Sequence, residues 1–293
     1  KSIGKWLLSE YMRLGFAGFI YDFKDTDYTR TAYNLIKRHR YPHKFYYVSF
    51  DRPERSYRFN PLKVVRDRTE LIQLMEDVLL ALLPKKEQQN EWVAGGLGIL
   101  RGVAFRFWDE FPEHCTLPHI LAFIMTASAR QLSLFLQQNL VSEMLAGAYL
   151  KAEGSEKTQA SYLSTLCNNL ATVSQNEEIA YVLSGDDFDF NLIDPENPKL
   201  FAVSNNFSKN SVYAPVISML MTISARQFSM QNRVPFVYFL DEMTTVNIKN
   251  FETLPSVLRE YKAAFILLTQ SGSKVENQYG RLCLLYTSPS PRD

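Results

Sequence analysis

The chain has 293 residues, 46% hydrophobic and 22% charged, with 12 Gly, 13 Pro and 3 Cys, which excludes collagen-like, disordered and disulfide-scaffold classes. Its 32 basic and 31 acidic side chains leave a net charge of +1, so no global positive field draws in nucleic acid and any such contact must be local. The longest strictly apolar stretch, VLLALLP near position 80, is far short of the roughly 20 residues that cross a bilayer, and KSIGKWLLSEYMRLG is too polar for a signal peptide. Cys115, Cys167 and Cys283, odd in number and widely spaced, read as reduced thiols in a cytosolic setting.

Residues 1 to about 62 alternate helix and strand signals. A helical stretch from Trp6 to Leu14 leads through Gly15 to AGFIYDFKD, a short strand closing on Asp22. TRTAYNLIKRHR has apolar residues at helical spacing, and KFYYVSFD is a second strand ending on Asp51. Strand, helix and strand with short connections read as a parallel α/β unit. From about 63 to 180 no strand is convincing. TELIQLMEDVLLALL, GILRGVAFRFWDEF, HILAFIMTASARQLSLFLQQNLVSEMLAGAYL and ASYLSTLCNNLATV repeat apolar residues every three or four positions, with KAEGSEKTQ (151–159) as a polar loop. This is an all-α insertion. From 181 to 286 alternation returns: strand KLFAV (199–203), helix SVYAPVISMLMTISARQFSM (211–230), strand VPFVYFLDE (234–242), helix FETLPSVLREYK (251–262) and strand AAFILLTQS (263–271). Near-continuous apolar strands are those covered by helices on both faces, so the core reads as a doubly wound, mostly parallel sheet. The last seven residues, TSPSPRD (287–293), have no periodicity and read as a disordered or non-native tail.

Open parallel sheets collect function at the carboxyl ends of their strands. FVYFL followed by Asp241 and Glu242 is the Walker B pattern of P-loop NTPases, in which the first carboxylate holds Mg²⁺ and the second accepts a proton from the attacking water. Gln270, at another strand tip, is placed to bond that water or the γ-phosphate of ATP, and Arg259 suits an arginine finger for a neighbouring subunit. Taken singly, each has a bland alternative: a chance acidic strand end, a solvated helix residue, a polar cap. Their order carries the reading, with Arg259 falling 17 residues after Glu242 and Gln270 another 11 on.

Asp22 and Lys24 close the first strand, beside a nucleotide pocket or as caps of the next helix. Arg30, Lys37, Arg38, Arg40 and Lys44 form the strongest basic cluster, a solvated helix end or a track for DNA phosphates. Asp186, Asp187 and Asp189 read as a turn, and His114, Cys115 and His119 are too few for a structural zinc site.

The chain resembles the coupling-protein ATPases of bacterial conjugation and type IV secretion, of the TraG/TraD type and a Bacteroidetes-like branch. The resemblance runs over nearly all of residues 1–282 and rests on SIGK with GFIYDFKD, RFNPL (58–62), NEW (90–92), GDDFDF (185–190), VYFLDEM (237–243) and LPSVLREYKAAFILLTQS (254–271). It implies a RecA-like P-loop NTPase core in two parts, 1–62 and 181–286, around a helical domain at 63–180. It further implies ATP and Mg²⁺, DNA, a relaxase, secretion-channel proteins and a hexamer at the cytoplasmic face of the bacterial inner membrane. A complete P-loop has a glycine-rich turn before Lys-Ser. Lys1 and Ser2 are therefore either the last two P-loop residues or residues just past it. An N-terminal truncation, with a membrane anchor also lying upstream, is the expectation, as is weak ATP binding and no turnover by this stretch alone. Other RecA/HerA/FtsK-like DNA pumps share the carboxylate strand but lack so large a helical insertion; a non-catalytic substrate-docking module is the alternative of another class.

Overall fold

The computed structural model of the protein describes residues 2–24, 26–83, 87–229, 234–248 and 250–280. In chain order, α1 (Ser2–Arg13) leads to β1 (Ala17–Asp22), α2 (Asp27–His39) and β2 (Lys44–Ser49). Then come α3 (Arg68–Ala81), α4 (Glu91–Glu110), α5 (Leu117–Thr126), α6 (Ala129–Gln137), α7 (Leu140–Leu145), α8 (Gly147–Lys151), α9 (Glu156–Ser174) and α10 (Glu177–Leu183). They are followed by β3 (Lys199–Ser204), α11 (Asn210–Arg226), β4 (Phe236–Leu240), α12 (Leu254–Arg259), β5 (Ala263–Leu267) and α13 (Gly272–Tyr279). The chain divides into two compact units, Lys1–Tyr57 with Phe188–Asp293, and Arg58–Asp187. These limits lie several residues outside the 63–180 span expected for the helical segment, because Arg58 and Asp187 pair: the N–H of Asp187 donates to the Arg58 carbonyl and the N–H of Arg58 to the Asp187 carboxylate.

In the first unit the five strands form one all-parallel sheet in the order β2-β3-β1-β4-β5. The three inner strands are buried along their whole length, as their unbroken apolar runs require, while β2 and β5 are partly exposed at the edges. Alternate side chains build two cores. Ile20, Leu200, Ala202, Val237 and Phe239 meet Leu8 and Met12 of α1 and Tyr28, Ala32 and Leu35 of α2. On the other face Phe19 packs against Phe201 and Tyr238, and the Tyr238 hydroxyl meets Ser224 of α11. Burying each such side chain stabilises the fold by about 1.5–3 kcal/mol. Gly15 ends α1 with φ 74°, which a residue lacking Cβ adopts without strain. That turn folds Phe16 back onto Tyr11, edge to face at 4.9 Å.

The helical unit is organised around α4, which packs against α3, α7 and α9. The long apolar run after His119 is broken before α6 and before α7, where side-chain caps intervene: Ser128 forms a capping box with Gln131, and Asn139 accepts from Val141 and Ser142 N–H. Neither break carries Gly or Pro, so periodicity alone reads through them. The expected polar loop at 151–159 is shorter than expected, since α9 begins at Glu156. Helix α13, capped by the Ser271 hydroxyl, was not foreseen. Among the described residues no helix is long and apolar enough to cross a membrane. Cys115 and Cys167 are free thiols, while Cys283 and the TSPSPRD tail lie outside the described residues.

Candidate functional site

Strand order reverses beside β1: β2 and β3 lie to one side, β4 and β5 to the other. The crevice over the carboxyl ends of β1 and β4 is where open parallel sheets bind ligands. Tyr21 pairs with Leu240, so Asp22 and Asp241 follow side by side. Asp22 is fully buried; its Oδ2 accepts the Thr29 N–H at 2.8 Å and the Thr29 hydroxyl at 2.9 Å, while its Oδ1 is buried without a partner. The residue therefore does hold the first turn of α2, whose own N-cap Thr26 makes no side-chain capping bond, and it has one oxygen to spare. Oδ2 of Asp241 is likewise buried and unpartnered.

Both carboxyls titrate above their usual range. Burial is the main cause for Asp241, pushed up to about 6; the neighbouring Asp22 and Glu242 add to it, and Lys24 and the Phe23 N–H oppose it. For Asp22, burial outweighs the donors of Thr29 and the Lys24 N–H, with Asp27 adding repulsion. Two adjoining acids of raised pKa, each with a free buried oxygen, form a hard-oxygen donor pair of the kind that suits a cation. Among the described residues no group of three or more His, Cys, Asp or Glu could hold a metal. A magnesium ion fits this pair, since it is ordinarily held by one or two carboxylates together with phosphate oxygens and water.

Glu242 takes a left-handed conformation, φ 53°, which costs a side-chain-bearing residue about 1–2 kcal/mol. A directed relay holds it. The Thr245 hydroxyl donates to the Glu242 carbonyl at 2.7 Å, so it must accept from Tyr21 Oη at 2.6 Å, which in turn accepts from Asn205 Nδ2 at 2.8 Å. The Glu242 carboxylate faces the Gln270 N–H at 3.5 Å and accepts from the Thr244 hydroxyl at 3.3 Å. Burial raises the Tyr21 phenol to about 12, keeping it a neutral donor.

The start of α1 lies at this same end. A β-carbon on Gly4 would stand 2.6 Å from the Tyr28 hydroxyl and 3.0 Å from Leu268, just past β5, and Lys5 pairs with Asp27 at 2.6 Å. Burial, and then the charge of Asp241, raises Tyr28 to about 12, which places that phenol beside the acidic pair. Lys1 lies outside the described residues, and α1 begins at Ser2. A helix N-terminus over the strand ends suits phosphate.

Asp22, Lys24, Asp241, Glu242 and Gln270 thus share one crevice. Arg259 does not. It is exposed at the end of α12, its carbonyl accepts from Lys262 N–H, and Lys262 in turn meets Phe236, the first residue of β4. It therefore sits at the amino ends of the strands, about 16 Å from the crevice at roughly 3.3 Å per residue of β4. The basic cluster also divides. Lys37, Arg38, Arg40 and Lys44 are exposed at the amino end of the sheet, at the end of α2 and start of β2, whereas Arg30 is in the first turn of α2. The DDFDF segment is a turn: Asp189 accepts the Asn191 N–H, and Asp186 pairs with Lys63 at 2.7 Å. His119 bonds Thr116, the cap of α5. Sequence reading missed Thr29, Tyr28, Tyr21, Thr245 and Asn205, although the first four lie close in sequence to the strings DFKD and LDEM.

Solved structures share this fold. The bacterial conjugative coupling protein TrwBdeltaN70, in complex with sulphate, aligns with TM-score 0.63 at 14% identity over 92% of this chain and 67% of its own. Plasmid coupling protein TrwB in complex with ADP and Mg²⁺ aligns at 0.62 and 14%, and in complex with a non-hydrolysable ATP analogue at 0.60 and 15%, again over 92% of this chain and 66% and 67% of theirs. The fold is accordingly that of a RecA-like NTPase. No curated protein matches the chain. The sequence profile of the type IV secretion-system coupling protein DNA-binding domain matches residues 51–283, most of the chain, and the chain therefore belongs to the type IV secretion-system coupling protein family.

Proposed function

We propose that the chain is the motor region of an ATP-hydrolysing coupling protein that moves DNA from a relaxase complex into a type IV secretion channel. The observation that carries this reading is the pair Asp22 and Asp241, with two unsatisfied buried oxygens beside Glu242 and the start of α1. Asp241 would hold Mg²⁺ together with the nucleotide, with Asp22 and Lys24 completing the pocket. The ion, when bound, neutralises charge on the phosphates. Glu242 accepts a proton from the attacking water, and the Gln270 side chain orients that water. Arg259, at the far end of the sheet, serves the site of the next subunit, which makes the working unit a ring, a hexamer by family likeness, at the cytoplasmic face of the bacterial inner membrane. Lys37, Arg38, Arg40 and Lys44 supply DNA-phosphate contacts at the opposite end from the nucleotide.

The test uses the chain extended upstream to a complete glycine-rich phosphate loop. Glu242→Gln and Arg259→Ala each lower ATP turnover by at least about 100-fold while sparing nucleotide binding. Mixing the two inactive variants restores turnover, because a Glu242→Gln subunit still donates its arginine to a neighbour with an intact glutamate. Wild-type turnover by Glu242→Gln removes the proposed base; a mixture that stays inactive removes the shared site.

A further inference from the structure

A second recess lies in the sheet unit between α2 and the edge strand β2; it borders the acidic crevice, since its lining includes Thr29, which bonds Asp22. It has a volume of about 510 Å³ and is lined by Arg30, Arg52, Arg55, Tyr33, Tyr47 and Tyr57 together with smaller and apolar residues. That size falls within the roughly 300–1,000 Å³ typical of small-ligand sites. Two of its features call for explanation. Tyr33 and Tyr57 keep 63% and 43% of their surface in water, a poor use of two large rings unless something covers them. The charged side chains of the lining are guanidinium groups and none is acidic; Glu54, on the turn that carries Arg55, reaches that arginine only at 3.8 Å.

Flat apolar faces and a cationic rim together specify a ligand that is planar and anionic. A nucleotide has both properties. An acidic peptide lacks the planar face, and in a duplex the base faces are stacked away. We propose that this recess is a single-stranded DNA subsite, in which a splayed base lies against Tyr33 and Tyr57 and leaves its phosphates to Arg30 and Arg55. Stacking on tyrosine with arginine on the backbone is the general chemistry of single-strand binding and needs no sequence preference. The proposal rests on the reading of this chain as a DNA-binding coupling-protein domain, and it names a place on the domain where the strand is held.

The test is fluorescence anisotropy of the whole chain with a labelled oligothymidylate of about a dozen nucleotides. Tyr33→Ala and Tyr57→Ala each weaken binding at least about 5-fold, the value of one lost stacking contact, while Tyr33→Phe retains wild-type affinity. Arg30→Ala and Arg55→Ala each reduce the slope of log affinity against log salt by about 0.7. Should Tyr57→Ala fail to fold, as judged by circular dichroism, the more exposed Tyr33 still decides the matter. Wild-type protein that binds the oligonucleotide while all four alanine variants bind equally well overturns the subsite and leaves the DNA-binding reading standing. Wild-type protein that binds no single-stranded DNA overturns both.

Discussion

Asp22 and Asp241 occupy equivalent positions at the tips of neighbouring parallel strands, and each keeps one buried carboxylate oxygen that no other group of the protein satisfies. Asp22 is tied to α2 by Thr29, whereas Asp241 is supported by the Phe23 N–H and the charge of Lys24, which burial outweighs. The pair is thus unfavourable while both groups are charged, and a cation held between them would relieve that cost.

That imbalance sets a pH dependence. Asp241 titrates near 6 in the fold against 3.8 in the unfolded chain, so its contribution to stability is complete below about pH 4 and is lost as pH rises through 6. The residue is partly exposed, and the loss after allowance for solvent screening is about 1–2 kcal/mol. Asp241→Asn is therefore more stable than wild type at pH 7.5 in chelator and equal to it near pH 4, as chemical denaturation at the two pH values will show. Millimolar Mg²⁺ raises the stability of wild type but not of the variant. Equal stabilities at pH 7.5 would contradict the buried charge.

Thr29→Val keeps the shape of the side chain and removes the hydroxyl that reaches Asp22 at 2.9 Å. A buried carboxylate then loses a donor, which costs about 1–3 kcal/mol at neutral pH and less at pH 4. The double variant with Asp22→Asn loses less than the sum of the two single changes. Strict additivity in that cycle would show that the two groups do not interact.

The helical unit makes a prediction of its own. In α4, a β-carbon on Gly98 would lie 2.8 Å from the Leu145 carbonyl oxygen, a backbone atom that α7 cannot easily move. Gly98→Ala improves helix propensity by about 1 kcal/mol, yet the collision reverses the sign, and the variant loses about 1–3 kcal/mol overall. Gly147→Ala is the control. Nothing lies within 4 Å of its added carbon, and it gains up to about 1 kcal/mol. Thermal unfolding of both variants separates packing from propensity.

The sheet was legible because its inner strands are buried on both faces and read as unbroken apolar runs, with Leu240 giving way to Asp241 where the strand meets the crevice. Asp241, Glu242 and Gln270 were legible for the same reason, since strand tips are where the apolar constraint ends. The breaks before α6 and α7 were not, because Ser128 and Asn139 stop helices by a single side-chain bond that leaves no trace in periodicity. Tyr21, Asn205 and Thr245 were invisible for a different reason. Their meeting depends on which strands are adjacent, and β3 enters between β1 and β2 only after the whole helical unit has been traversed. The five basic residues looked like one cluster because a helix compresses on paper what it separates in space, Arg30 at one end and Lys37 at the other.

The relay from Asn205 through Tyr21 and Thr245 to Glu242 fixes the direction of every proton along it: an amide that can only give, two hydroxyls that each receive once and give once, and a carbonyl that can only receive. No member can rotate away without stranding the next. The backbone at 242 consequently inherits its stance from the innermost strands of the sheet and not from the surface turn it belongs to, and it is already set before any ligand enters.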